Sequence, residues 1–291
     1  MILVAGGELD FNLGALLQRM RRRRVKFSSA LLGAGHVPRL TIDIAKDRLR
    51  LDGSPVRPTA CFMRHDVFLT QALRTAEANA AALNWYIAIK GWELAHDDVR
   101  GFNKRAWNAD TNKLSNLYLA ARHGLRVPRT LLTNEFAVAR KSMSGPLIEK
   151  PAAGGELTGT FDALATKLAA GTPIGRYPRF VQQQMRRPEL RVFRVGDELI
   201  GFSLTSPDLD YRAALRSRLK PARVPAALGE KFHAFCCTIG LDFAAADFMR
   251  YPKGGEHRFL EVNSQPMFAA FDAVAGGRLC DAIIDYLSAK P

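Results

Sequence analysis

The 291-residue sequence predicts a mixed α/β (α+β) protein, and three features carry that expectation. The chain opens strand then helix: residues 2–5 form an apolar run, and residues 12–22 place apolar side chains at helical spacing. Two later stretches read as β-hairpins, residues 190–205 turning at Gly196-Asp197 and residues 243–262 turning at Lys253-Gly-Gly255. Helical segments separate the strands and stop at glycines, as at Gly124 and Gly240. At this length, two or three packed subdomains sharing one cleft are expected.

Taken in order, residues 40–43 and 48–51 alternate apolar and polar side chains as short strands do, and Asp52-Gly53 is a turn signal. Residues 60–63 resemble a buried strand, and residues 67–89 are an alanine-rich helical segment. This N-terminal unit ends near Arg105, giving a first domain over 1–105. A helix is expected from about Asp110, with Leu114, Leu117 and Ala121 on one face and Pro128 beyond its end. Residues 130–133 and 146–150 read as strands flanking a short helix over 135–141, for which Asn134 is the expected N-cap. The small-residue loop Ala152-Ala-Gly-Gly155 follows, in a layout suited to phosphate. Residues 180–184 form a further strand, residues 226–239 a helix, and residues 281–289 a closing helix. The remaining chain divides into a central subdomain over 106–184 and a C-terminal one over 185–291.

Composition narrows the functional classes. With 47% hydrophobic and 24% charged residues, the chain is a soluble globular protein and not a disordered or collagen-like one. The start reads as a strand and not as a signal peptide, no segment reaches transmembrane length, and the four cysteines lack C-x-x-C spacing. A reducing cytoplasm is the expected compartment. Lys plus Arg is 42 against 28 for Asp plus Glu, a net charge of +14 that attracts acidic partners at long range. The densest basic run, Arg19 to Arg24, ends the first helix, where cations also favour the helix dipole. No aromatics interleave it, so nucleic acid is disfavoured as a partner. The six histidines are dispersed without an H-E-x-x-H pattern, and Cys236-Cys237 beside Phe235 reads as core.

The sharpest chemical signal is Asp247 on one strand with Glu261-Val-Asn263 on the next. Side chains alternate across a strand, so Glu261 and Asn263 share a face that Asp247 reaches from the antiparallel neighbour. Two carboxylates and an amide are hard oxygen donors, the set that holds magnesium jointly with nucleotide phosphates.

These residues resemble the ATP-grasp superfamily, in which a D…E-x-N set on adjacent strands coordinates magnesium and the triphosphate. The likeness is nearest to graspetide (microviridin-type) peptide maturases and ribosomal-protein glutamate ligases. It rests on Asn112-Lys-Leu114, Glu149-Lys-Pro151, Phe180-Val-Gln-Gln-Gln-Met185, Glu189-Leu-Arg-Val192, Asp210-Tyr-Arg212 and Gly240-Leu-Asp-Phe243 in that order, and covers the chain from about Lys113 onward. The resemblance implies an ATP-grasp fold: an N-terminal pre-ATP-grasp domain, a central subdomain and a C-terminal catalytic subdomain. It implies that Lys113 and Lys150 contact phosphate, that Gly154 and Gly155 let backbone amides approach it, and that Gln182, Gln183, Gln184 and Met185 form the adenine hinge. Glu189 would hold the ribose, Asp247, Glu261 and Asn263 the magnesium, and Arg212 and Arg191 the charge on the transferring phosphate. For Arg191, pairing with Glu189 or another neighbour is an equal alternative. Tyr211 stands where the family pattern more often has Trp, and Gln183 where it often has Glu.

The expected activity is therefore ATP- and magnesium-dependent joining of a carboxylate to an amine or hydroxyl through an acyl phosphate, with release of ADP and phosphate. A peptide or natural-product precursor, an acidic peptide among the candidates, is the expected substrate. A free amino-acid or dipeptide ligase and a non-catalytic nucleotide-binding peptide carrier are the alternatives. A loop over 154–159 suits closure over the intermediate, no membrane is involved, and a homo-oligomer fits the same class.

Overall fold

In the computed structural model, residues 1–106, 112–153, 157–167, 174–210 and 216–289 are described. They divide into two compact units, Met1–Lys104 with Met267–Pro291, and Arg105–Pro266.

The first unit is built on a parallel sheet. Strand β1 (Ile2–Gly7) leads into helix α1 (Phe11–Arg22), which returns to β2 (Phe27–Leu32). The chain then forms a meander of β3 (Leu40–Asp43), β4 (Arg48–Leu51) and β5 (Ser54–Val56), and re-enters the parallel sheet as β6 (Ala60–Met63). The order β2-β1-β6 places β1 in the centre, parallel to both neighbours. Leu49 and Leu51 of the meander point inward and share a core with Leu3, Ala5, Ala30, Cys61 and Ile89. Asp10 caps α1 by accepting from the Asn12 amide, and Leu13, Leu16, Leu17 and Met20 form its buried stripe.

The helical segment expected over 67–89 is two helices, α2 (Val67–Leu73) and α3 (Ala76–Ala95). Arg74 takes a left-handed conformation at φ 51°, and Thr75 restarts the helix as an N-cap accepting from the Ala78 amide. Strand β2 was not anticipated; its Phe-Ser-Ser-Ala-Leu-Leu sequence is a weak strand former that parallel pairing with β1 holds in place.

The second unit contains two antiparallel sheets. Helix α4 (Lys113–Arg122) is capped by the Asn112 side chain, which accepts from the Ser115 amide. Next come β7 (Thr130–Glu135), α5 (Phe136–Ser142), β8 (Leu147–Pro151), β9 (Gly159–Thr160), α6 (Phe161–Lys167) and β10 (Ile174–Gln183), with sheet order β7-β10-β8-β9. Asn134 does not cap α5: Glu135 occupies that position without a side-chain cap, and Asn134 instead donates to the Gly175 carbonyl. The larger sheet takes β11 (Arg186–Val195), β12 (Glu198–Thr205), β13 (Arg218–Ala222), β14 (Phe243–Tyr251) and β15 (Gly254–Asn263) in the order β13-β12-β11-β14-β15, with helix α7 (Ala226–Thr238) between β13 and β14. The two hairpins read from the sequence are β11–β12 and β14–β15.

After Pro266 the chain belongs to the first unit, through α8 (Ala269–Val274) and α9 (Arg278–Ser288). The sequence-based division instead kept 185–291 together. The return is fixed by polar contacts that spacing does not reveal. Asn12 accepts hydrogen bonds from the Phe268 and Ala269 amides at 2.7 and 2.9 Å. Asp281 pairs with Arg19 and, at 3.1 Å, with Arg23, whose other nitrogen reaches Asp285 at 2.5 Å. Part of the basic run thus ties α1 to α9, while Arg21, Arg22 and Arg24 are exposed. No helix among the described residues is long and apolar enough to cross a membrane.

Candidate active site

The larger sheet has two faces of opposite character, and strand register sets them. On one face Leu190, Val192, Ala244, Ala246, Phe248 and Val262 pack against Phe232 and Phe235 of α7. The alanines of β14 leave room for these rings, and Phe232 and Phe248 meet edge to face at 5.8 Å. On the other face, Arg191 and Glu261 both lie directly opposite Asp247, and Asn263 lies opposite Ala245. Between Asp247 and Phe248 the β14–β15 register shifts, so that Phe248 pairs with Phe259 and Leu260 is the extra residue. This bulge keeps Phe259 in the core while Glu261 stays beside Asp247.

The polar face gathers charge out of water. Arg191 approaches Asp247 at 3.2 Å, and both are buried. Glu189, also buried, lies near enough to hydrogen-bond Asp247. Burial and then the neighbouring Asp247 push the Glu189 carboxyl up to about 8, the cations Arg191 and Arg187 opposing. Burial likewise raises Asp247 against the pull of Arg191. Glu261 goes the other way: burial alone would raise it, but Lys150 and Lys113 together hold it down to about 2. Lys113 makes the direct contact, Nζ to Oε2 at 3.0 Å.

Lys113 stands in the first turn of α4, and the segment after that helix is tied to β15 by the Phe259 amide donating to the Arg126 carbonyl at 2.8 Å. Lys150 reaches the same carboxylates from β8, opposite Phe180. The expected residues Lys113, Lys150, Glu189, Arg191, Asp247 and Glu261 are therefore one electrostatic cluster, with Asn263 two residues along the same strand face. Arg191 pairs with Asp247 in this structure.

Gln182 and Gln183 end β10, and Gln184-Met185 link it to β11. The Gln182 side chain is buried and donates to Thr130 Oγ1 at 2.9 Å. The Gln183 and Gln184 amides donate to the carbonyls of Arg129 and Pro146, which fixes the link between β10 and β11. Met185 is buried. Gly154, Gly155 and Arg212 lie outside the described residues. Next to them, Asp210 accepts from the Thr158 amide at 3.0 Å, and Gly159 packs against the buried Glu149, where a Cβ would fall 2.5 Å from Oε1.

The donor set suits a divalent cation. Glu189 Oε1 is buried without a hydrogen-bond partner, Asp247 Oδ1 meets the Arg191 guanidinium at 3.2 Å, and the two carboxyls lie close in a low-dielectric site. Among the described residues no group of three His, Cys, Asp or Glu side chains could hold a metal on its own. A two-carboxylate, one-amide set matches an ion that takes its remaining ligands from phosphate and water. Glu189 and Arg191 are among the expected site residues, and what the sequence does not give is the β11–β14 pairing that sets Arg191 opposite Asp247.

No family model matches the chain. It is 28% identical over 173 residues to the alpha-aminoadipate–LysW ligase LysX of Sulfurisphaera tokodaii, a match covering 54% of this chain; the chain spans 60% of that curated relative's length. The structure is similar to the ATP-grasp ligase PsnB complexed with a phosphomimetic variant of its minimal precursor, Mg and ADP, with TM-score 0.77, 23% identity and 98% of each chain covered. It is also similar to the macrocyclase MdnC bound with precursor peptide MdnA from Microcystis aeruginosa, with TM-score 0.75, 16% identity, and 100% of this chain and 99% of that one covered. Similarity to such proteins over nearly the full length of both chains shows that this chain has the ATP-grasp fold.

Proposed function

We propose that this protein is an ATP-dependent ligase that activates a carboxylate as an acyl phosphate and joins it to an amine or hydroxyl on a peptide. The observation that carries the reading is that Lys113 of α4 and Lys150 of β8 converge on Arg191, Glu189, Asp247 and Glu261 of one strand face. Asp247, Glu261 and Asn263 are the residues that would hold magnesium, whose role when bound is to neutralise triphosphate charge during transfer. Lys113 and Lys150 supply compact, mobile positive charge to the phosphates, and Arg191 holds Asp247 in register. Glu189 Oε1 is a free acceptor suited to a ribose hydroxyl. Arg212 is assigned to the transferring phosphate on the sequence motif alone.

The substrate carboxylate oxygen attacks the γ-phosphorus and ADP leaves. The acceptor then attacks the acyl carbon and inorganic phosphate leaves, its proton passing to solvent or a nearby base. The peptide substrate is supported by the fold shared with PsnB and MdnC over nearly the whole chain, both solved with precursor peptides. The net charge of +14 favours an acidic one by electrostatic steering. The free amino-acid ligase shares the site chemistry, and its fold support, from a D-Ala:D-Ser ligase at TM-score 0.59, is weaker. The free cysteines among the described residues fit a reducing cytoplasm.

The test is product analysis. With a panel of Glu- and Asp-rich peptides and hydroxylamine in place of the acceptor, phosphorus NMR should show ADP and phosphate, and mass spectrometry a hydroxamate on a side-chain carboxyl. AMP and pyrophosphate would overturn the mechanism. Hydroxamate on free amino acids alone would select the small-molecule ligase, and nucleotide binding without turnover the carrier.

A further inference from the structure

The parallel sheet of the first unit ends, at its carboxyl side, in a recess floored by small residues. Ala5 of β1, Ala30 of β2 and Ala82 of α3 are buried on the floor, and the half-buried Met63, Trp85 and Tyr86 stand at the mouth. The volume is about 310 Å³ with the mouth included. That is the lower end of the roughly 300–1,000 Å³ of small-molecule sites, so the recess admits one side chain and not a whole ligand. Protein interiors pack to crystal density, and a void with apolar walls stays dry. Three alanines on three elements thus keep open a space that larger side chains would fill.

Its place in the fold supplies a second observation. Strands β1 and β6 are adjacent and parallel, and the helices that follow them pack on opposite faces of the sheet. Ile89 of α3 packs with Leu3 and Ala5, whereas a Cβ on Gly6, which belongs to the alternate face, would fall 2.7 Å from Leu13 of α1. Carboxyl ends that part in this way form the crevice in which open α/β sheets bind ligands.

Charge decides what the recess accepts. Its two ionisable walls, Arg64 and Asp66, are both buried and already engaged. Arg64 meets Asp10 at 2.6 Å, and Asp66 caps α2 by accepting from the Phe68 and Leu69 amides at 2.9 and 3.0 Å. A charged occupant would either break one of these contacts or lose its water without compensation. An aliphatic occupant gives up only unfavourable hydration and gains contact with Trp85 and Tyr86. We propose that the recess is a specificity pocket for one aliphatic side chain of the peptide substrate. That a peptide carries the side chain rests on the ligase reading; the preference of the recess for an uncharged aliphatic group does not.

Fluorine NMR of the full chain labelled with fluorotryptophan tests it, the Trp85 resonance being assigned with Trp85→Phe. Without nucleotide, N-acetyl-leucinamide should shift that resonance saturably while the resonance of Trp92, which is not part of the recess, stays in place. The N-acetyl amides of glutamate and lysine should bind at least about ten-fold more weakly, because burying their charge is uncompensated. Ala30→Leu and Ala82→Leu, each filling the floor, should abolish the shift with an unchanged or raised melting temperature. The leucine amide has no carboxylate or amine to join, so its binding is read independently of ligation. A ligase without this pocket would still form hydroxamate in the product analysis, and a pocket without ligase activity would still show the shift. A Trp85 resonance that does not saturate, charged amides that bind as tightly as the leucine amide, or leucine amide binding that survives both alanine substitutions would overturn the proposal.

Discussion

The two units bury charge in different ways. In the first, Asp10 and Arg64 pair at 2.6 Å with almost no exposure, and the same carboxylate accepts from the Asn12 amide and side chain. Lys90 pairs with Glu93 and also donates to the Phe102 carbonyl. In the second, the buried Glu189 carboxyl lies beside that of Asp247, and burial together with that neighbouring charge raises it to about 8. A buried cation–carboxylate pair fixes a fold, whereas carboxyls crowded against one another with several cations form a site poised to exchange charge with a ligand.

The largest effect that would sharpen this contrast is on chemistry. Glu261→Gln removes a negative ligand while keeping shape, so ATP turnover should fall about 10³-fold or more while the melting temperature stays within a few degrees. Asp247→Asn should lose activity equally, with the relief of a charge that burial opposes set against the loss of the Arg191 pairing in stability. Full activity in either variant breaks the assignment.

The next effect is on stability and belongs to the first unit. Asp10→Ala leaves Arg64 buried without its carboxylate and removes the cap of α1, so urea unfolding should show a loss of about 3–5 kcal/mol. A loss below about 1 kcal/mol would mean that the pair is not the anchor its geometry implies.

A pH experiment separates the units more finely. Glu189 has its folded value raised from 4.5 to about 8, so between those values the folded chain holds a proton that the unfolded chain has lost. Stability without magnesium should therefore fall as pH rises through that window, by at most about 1.4 kcal/mol per pH unit, and level off above it. Saturating magnesium with a nucleotide analogue should flatten the slope. Glu261, lowered to about 2, adds stability that is complete above its ordinary value of 4.5 and disappears as pH drops toward 2. The smallest effect is expected at the partly exposed Arg23, where Arg23→Ala should cost no more than about 1 kcal/mol and less in high salt.

What the sequence disclosed follows the same division. The hairpins around Gly196 and Gly255 were legible because strand alternation and turn glycines are local signals, and alternation also put Asp247, Glu261 and Asn263 on one face. The break at Arg74 was hidden, because a left-handed arginine carries none of the glycine or proline signal that marks such a stop. Strand β13, Arg218-Leu-Lys-Pro-Ala222, was missed because basic residues and a proline disguise an edge strand. The return of Phe268 to Asn12 spans 256 positions, and no local pattern encodes it.

Calorimetry with a non-hydrolysable ATP analogue tests the magnesium–nucleotide site most directly. Binding should require magnesium, weaken at least ten-fold with chelator, and lose that dependence in Asp247→Asn. Equal affinity with and without magnesium in the unmodified protein would contradict the account.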